Sequence, residues 1–185
     1  MSQISLRFSG FGGQGIILSA VIIASGAVMH EGKAAVQTQS YGPESRGGAT
    51  KADAILSDTE INYPLINKTD VLIALSQESL EKYINDTHEN SLVIIDPLFI
   101  KKAPGSDHHI RLIEIPSAKL ADELGSRLVA NMIILGAVVA LTSVISQEAL
   151  EESIKGNTAP AFHELNISGM RVGVRYAQKL RTKEI

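Results

Sequence analysis

Ile4-Ser5-Leu6-Arg7-Phe8 alternates apolar and polar side chains before reaching Gly10, the pattern of a short strand closed by a glycine turn. From Ile16 to Val28 the chain becomes apolar with small residues mixed in, which predicts a helix buried on most sides and broken near Glu31-Gly32. Ala34 to Gln39 reads as a second strand, and Ser40 to Gly48, rich in glycine, proline and charge, as a loop. Ala52 to Ser57 returns to a strand pattern. Val71 to Leu75 and Leu92 to Ile95 are short continuous apolar runs, suited to strands buried on both faces of a parallel sheet. Ser76 is placed to cap a helix carrying Ser79, Leu80, Tyr83 and Ile84, and Asp96-Pro97 stops the strand before it. Ile110 to Ile115 alternates as a half-exposed strand does. After Pro116 the pattern is helical, roughly over 117–125, 128–144, 147–155 and 159–180. Ser146 and Thr158 are expected as caps, and Pro160 in a first turn, where its missing N–H costs little.

Strands alternating with helices predict an α/β fold. The expected form is a three-layer α/β/α domain with a largely parallel sheet, a Rossmann-like N-terminal half and a helical C-terminal third. No repeat or linker divides the chain, so residues 1–185 read as one domain. Leu128 to Ile145 approaches the length of a membrane span, but Asn131, Thr142 and Ser143 interrupt it and Arg127 and Glu148 bracket it. It reads as a buried helix, and no membrane association is expected.

Composition narrows the chemistry. Of 185 residues, 44% are hydrophobic and 20% charged, which excludes a disordered chain. Seventeen Lys and Arg against 20 Asp and Glu leave a formal charge of -3, with no basic field for nucleic acid. There is no cysteine, which excludes a thiolate nucleophile, a cysteine zinc site and an iron–sulfur cluster on this chain. That is compatible with a reducing cytoplasm, the expected location. No charged stretch precedes an apolar one at the start, so no signal peptide is expected. The five histidines show no metal-binding spacing, and no nucleophile elbow or carboxylate pair suggests a self-contained catalyst.

Gly10-Phe11-Gly12-Gly13-Gln14-Gly15 matches G-x-G-x-x-G between an expected strand and an expected helix. Glycines let the backbone turn tightly and let a phosphate approach, while the first helical N–H groups point at it. A nicotinamide or flavin site would also want an acid closing the second strand, where this chain has Gln37-Thr38-Gln39-Ser40. Three uses stay open: an anion held jointly with another subunit, a dinucleotide, or close packing alone. Tyr41-Gly42-Pro43-Glu44-Ser45-Arg46-Gly47-Gly48 is the second unusual stretch, in which Arg46 could grip a carboxylate or phosphate with two parallel bonds or pair within the assembly. Asn131 lies on an apolar helix, so its amide either anchors neighbouring backbone or reaches the glycine loop.

Together, Gly10–Gly15 and Gln39–Gly48 resemble the gamma subunit of 2-oxoacid:ferredoxin oxidoreductases. The likeness continues in Asp70-Val-Leu-Ile-Ala-Leu-Ser76, Asn131-Met-Ile-Ile-Leu-Gly136 and Glu164-Leu-Asn166, and so covers nearly the whole chain. The 2-oxoglutarate branch is most similar; pyruvate, 2-oxoisovalerate and indolepyruvate branches are related. The resemblance implies a multisubunit enzyme that oxidatively decarboxylates a 2-oxoacid to an acyl-CoA and passes electrons to ferredoxin. It implies thiamine-binding and ferredoxin-like partner chains. Thiamine diphosphate, Mg2+, [4Fe-4S] clusters and coenzyme A would be bound on or with those chains, and none by this chain alone. The binding residues it points to here are Gly10, Gly12, Gly13, Gln14, Gly15, Tyr41, Gly42, Glu44, Arg46, Gly47, Gly48 and Asn131. The competing reading is an autonomous Rossmann-type protein that binds a nucleotide or coenzyme A.

Overall fold

The computed structural model describes residues 3–40, 50–105 and 108–182. The alternation at residues 4–8 becomes β1 (Gln3–Gly10), followed by α1 (Ile16–Glu31), β2 (Ala34–Ser40) and β3 (Thr50–Ser57). The two apolar runs become β4 (Thr69–Ala74) and β5 (Thr87–Ile95), with α2 (Gln77–Tyr83) between them. β6 (Arg111–Glu114) closes the sheet, and α3 (Ser117–Glu123), α4 (Ala130–Thr142), α5 (Gln147–Asn157) and α6 (His163–Arg181) follow. Short 3-10 turns at 127–129 and 160–162 lead into α4 and α6.

The six strands are ordered β2-β3-β1-β4-β5-β6. β1, β4, β5 and β6 pair in parallel, while β3 runs antiparallel to both β1 and β2. The sheet is therefore mostly parallel, with one reversed strand inside it. This detail departs from a plain Rossmann crossover. β1 and β2 share a direction, but β3 lies between them and keeps them two strand spacings, roughly 10 Å, apart.

Strand alternation separates two cores. Leu6, Phe8, Ala52, Ala54, Val71, Ile73, Ile94 and Ile113 face α1 and the helices of the C-terminal third. Burying each Leu, Ile or Phe there contributes about 1.5–3 kcal/mol. Leu72, Ala74, Val93 and Ile95 face the other way, under Leu80, Tyr83, Ile84 and Ile100. α1 lies across β1, β2 and β3, and α5 packs on α1. α4 is buried nearly all round because α1, α3, α5 and α6 surround it. Among the described residues, no helix is long and apolar enough to cross a membrane.

The α4–α6 contact is a backbone-to-backbone approach. A Cβ on Gly136 would overlap the Met170 carbonyl oxygen, and one on Gly173 would overlap that of Ile133. Gly169 sits against Val129 and Met132. These contacts advance together along both helices, so α4 and α6 run in the same direction and start at the same end of the molecule.

Two expected caps are in place. Ser76 accepts from the Ser79 N–H at 3.2 Å and Ser146 from the Ala149 N–H at 3.1 Å. Thr158 is different: its hydroxyl donates back to the Ile154 carbonyl at 2.7 Å, closing α5 rather than opening the next helix. The threonine follows a helical turn, so a carbonyl four residues back is already within reach of its hydroxyl. Pro160 does occupy a first turn.

The α2 face holds polar chemistry that alternation alone leaves unread. Arg7 is fully buried. Its Nε and Nη2 donate to Asp53 at 2.8 and 3.0 Å, its Nη1 to Asp86, and its Nη2 also to the Ile66 carbonyl at 3.3 Å. Burial pulls the Arg7 guanidinium down, but Asp53 and Asp86 outweigh it, and the net displacement is upward. Close by along β1, the Asp70 carboxylate accepts from the Ser5 N–H and hydroxyl, both at 2.7 Å, and lies 2.8 Å from His88 Nε2.

Candidate functional site

At the carboxyl ends of β1 and β4 the chain leaves the sheet through Gly10–Gly15 and enters α1. Gly15 has φ +72, a left-handed conformation that suits glycine, and ends the loop where the helix begins. Gln14 folds back over Gly10 and holds the loop to the sheet. Its Oε1 accepts from the Phe11 N–H at 2.7 Å, and its Nε2 donates to the Leu75 carbonyl at 2.9 Å. Its amide is thus used in bracing the loop. Gly12 and Gly13 differ from their neighbours, because a Cβ on either would meet no described atom within 4 Å. The backbone there is uncovered by the described residues.

Asn131, in the first turn of α4, packs directly on Gly15, where a Cβ would overlap its side chain. It is 7% exposed, and its Oδ1 is buried with no hydrogen-bond partner among the described residues. An unpartnered buried amide oxygen costs about 1–3 kcal/mol. Asn131 thus lies against the glycine loop, and its Oδ1 anchors no described backbone.

Between the loop and the C-terminal helices lies a cavity of about 390 Å3. Gly13, Gln14, Gly15, Leu18 and Leu75 form one wall, and Ser117, Ala118, Arg127, Leu128, Ala130 and Asn131 the other, with Leu98 and Phe99 at the rim. Arg127 is held by Asp122 at 2.7 and 2.9 Å. Among the described residues of the lining there is no carboxylate, imidazole or thiol, so they offer binding chemistry rather than acid–base chemistry. Among the described residues, no group of three or more His, Cys, Asp or Glu could hold a metal ion.

Helix starts reinforce this. First-turn N–H groups in α2 and α5 bond to Ser76 and Ser146, and the Ala118 N–H of α3 donates to Asp96 at 2.8 Å. α1, α4 and α6 have no side-chain cap, and α1 and α4 have no acid in the first turn. Residues at the starts of α1 and α4 line this cavity, so the positive ends of two helix dipoles face it.

The structure thus brings Gly10, Gly12, Gly13, Gln14, Gly15 and Asn131 together. Tyr41, Gly42, Glu44, Arg46, Gly47 and Gly48 lie outside the described residues. Ser40, which closes β2, pairs with Lys51 of β3 and not with β1, so the strand end that carries the acid of a dinucleotide site is one strand removed from the loop. Sequence reasoning missed Arg127 and the Leu98–Phe99 rim. The only signal for the rim was two large apolar residues just after the Asp96-Pro97 turn.

Residues 5–176 match the pyruvate ferredoxin/flavodoxin oxidoreductase family. The chain is 38% identical over 176 residues to 2-oxoglutarate synthase subunit KorC of Methanocaldococcus jannaschii, covering 95% of this chain and 94% of that one. The crystal structure of a keto/oxoacid ferredoxin oxidoreductase gamma subunit from Geobacter sulfurreducens is 39% identical, with a TM-score of 0.85 over 95% of this chain and 99% of that one. The fold also recurs, at 22% identity and a TM-score of 0.86, in a 2-oxoglutarate:ferredoxin oxidoreductase from Magnetococcus marinus with 2-oxoglutarate, coenzyme A and succinyl-CoA bound. There this chain's 97% corresponds to 32% of the longer chain.

Proposed function

The chain belongs to the pyruvate ferredoxin/flavodoxin oxidoreductase family, and on that premise we propose that it is the gamma-type subunit of an enzyme converting 2-oxoglutarate to its acyl-CoA with electrons passed to ferredoxin. The observation that carries the choice of acid is the 38% identity to a 2-oxoglutarate synthase subunit along almost the full length of both chains. It also favours a subunit over an autonomous nucleotide-binding protein. In this reading thiamine diphosphate, Mg2+ and iron–sulfur clusters reside on thiamine-binding and ferredoxin-like partner chains, and the complex works in the cytoplasm.

The role proposed for this chain is to hold coenzyme A against the catalytic chains. The cavity fits such a ligand: it has uncovered glycine backbone at Gly12 and Gly13, uncapped helix starts, and an amide oxygen at Asn131 awaiting a donor. Bound there, coenzyme A would supply the thiol that takes up the acyl group. The chain's own residues bind and orient it. Glycine N–H groups face its anionic part, Leu18, Leu98 and Leu128 exclude water, and Gln14 keeps the loop rigid. On sequence grounds the proposal extends to Tyr41, Gly42, Glu44, Arg46, Gly47 and Gly48 as a second contact stretch. Arg46→Lys is expected to impair the complex nearly as much as Arg46→Ala, since a lysine lacks the planar fork.

The test is to produce the chain with its partner subunits and follow reduction of ferredoxin. Turnover should require coenzyme A and favour 2-oxoglutarate over pyruvate and 2-oxoisovalerate. A preference for another acid would overturn the substrate. Turnover by partner chains lacking this one would overturn its role.

A further inference from the structure

Beside the glycine cleft, where α4 begins and α5 turns into α6, lies a second cavity of about 340 Å3. It shares Leu18, Leu128 and Asn131 with the first, so the two form one continuous groove. We infer that this second cavity is a subsite for a neutral, amide-bearing arm of the same ligand whose anionic part lies on the glycine loop, read by Asn131 and Asn166. The inference rests on the cleft being a coenzyme A site, and it adds the direction in which the ligand lies and the residues that recognise its arm.

Among the described residues, the lining carries no charged side chain, which favours a neutral occupant. Three asparagines, Asn131, Asn157 and Asn166, line it. Asn131 and Asn166 are each 7% exposed. Asn131 Oδ1 is unpartnered, and the Asn166 side chain makes no hydrogen bond to another described residue. The other polar groups there are engaged: Asn157 Nδ2 donates to the Ser153 carbonyl at 2.8 Å, and the Thr158 hydroxyl to that of Ile154. A carboxamide offers one acceptor and one donor group, the complement of an amide in a ligand. Leu128 and Phe162 flank the mouth, 78% and 50% exposed, and suit the methylene stretches between amides. Arg127 lines the first cavity and not the second, and Asn166 the second and not the first, so the charged side chain and that carboxamide stand at opposite ends of the groove.

Calorimetry on the complex with its partner subunits tests this, with coenzyme A, ADP and pantetheine as probes. Asn166→Leu should weaken coenzyme A at least about tenfold and abolish pantetheine binding, with ADP affinity unchanged, because one hydrogen-bonded amide is worth about a factor of ten. KM for coenzyme A should rise while that for the 2-oxoacid stays. Asn166→Asp keeps the shape and brings a charge into a neutral cavity, and should lose pantetheine as well. Melting temperatures check that both variants fold. Equal loss of ADP and coenzyme A would make Asn166 a packing residue and overturn the inference. Unchanged affinities would overturn it too, and weakened subunit association with coenzyme A binding intact would mean that a partner peptide fills the groove. Failure of the unaltered complex to bind either coenzyme A or ADP would instead overturn the function proposed above.

Discussion

The two polar regions of this molecule are built to opposite rules. On the α2 face, Arg7 is fully buried, yet every nitrogen of its guanidinium has an acceptor, and Asp53, Asp86 and Ile66 supply them. At the glycine loop, Asn131 is almost as deeply buried, and its oxygen has none among the described residues. The first region is complete among the described residues. The second leaves an acceptor open there, the one that the proposed coenzyme A site would use. A buried polar group therefore says little until its partners are counted.

Asp53→Ala breaks the completed side and should have the largest effect. It removes the two-pronged acceptor of Arg7 and leaves Asp86 alone to balance the buried charge, and a loss of about 3–5 kcal/mol is expected in urea unfolding. A loss below about 1 kcal/mol would mean that the cluster is less enclosed than described. Gly15→Ala strikes the contact on which the other region rests. It forces a side chain into φ +72 and against Asn131, and should cost about 1–3 kcal/mol.

Ser5–Asp70–His88 probes the completed side by pH. Burial raises the Asp70 carboxyl, but bonds from Ser5 and His88 outweigh it, so it ends below its ordinary 3.8. The Glu89 carbonyl and then Asp70 raise His88 above its ordinary 6.5. The pair's stabilisation is thus present above 3.8 and below 6.5; it fades as acid protonates Asp70 and as rising pH deprotonates His88. Both side chains are partly exposed, so the effect should stay within about 1 kcal/mol. Melting temperature of His88→Asn against the parent should differ most between those limits, and a difference that grows above neutral pH would contradict the pairing.

The smallest expected effects on stability fall on the incomplete side, and they sharpen the contrast most. Asn131→Leu removes an unpartnered oxygen, so unfolding free energy should be unchanged within about 1 kcal/mol or increase. Coenzyme A should bind more weakly. A Cβ at Gly12 meets no described atom within 4 Å, so Gly12→Val should leave the melting temperature in place while lowering turnover of the complex. If both variants lose stability instead, the groove is ordinary packing.

How much of this was legible in the sequence follows the reach of each signal. Apolar runs such as Val71 to Ala74 and local caps such as Ser76 and Ser146 depend on neighbours a few residues away, and they were read correctly. Strand direction does not: nothing in Ala52 to Ser57 says that β3 runs against β1. Alternation put Arg7 on the face opposite Phe8 but could not say that Asp86, 79 residues on, would cover it. Thr158 is a cap, but it ends α5 instead of opening the helix after it, because a hydroxyl at a helix boundary can serve the element on either side. At the site, the glycine spacing pointed to the loop, and the apolar neighbours of Asn131 marked it as unusual. Asn166 carried no such mark, since α6 is amphipathic and a polar residue at its start looks like a solvated one.

The glycine crossing of α4 and α6 acts as a gauge. The helices touch backbone to backbone at Gly136 and Gly173, and they run side by side in one direction. Asn131 lies five residues before one contact and Asn166 seven before the other, roughly 7 and 10 Å along the axes. The spacing of the two amides is thereby set by hard contact between main chains rather than by adjustable side chains. A larger residue at either glycine would open the groove like a wedge driven in below it. The two asparagines and the two glycines form a single tolerance, in which none can change without the others registering it.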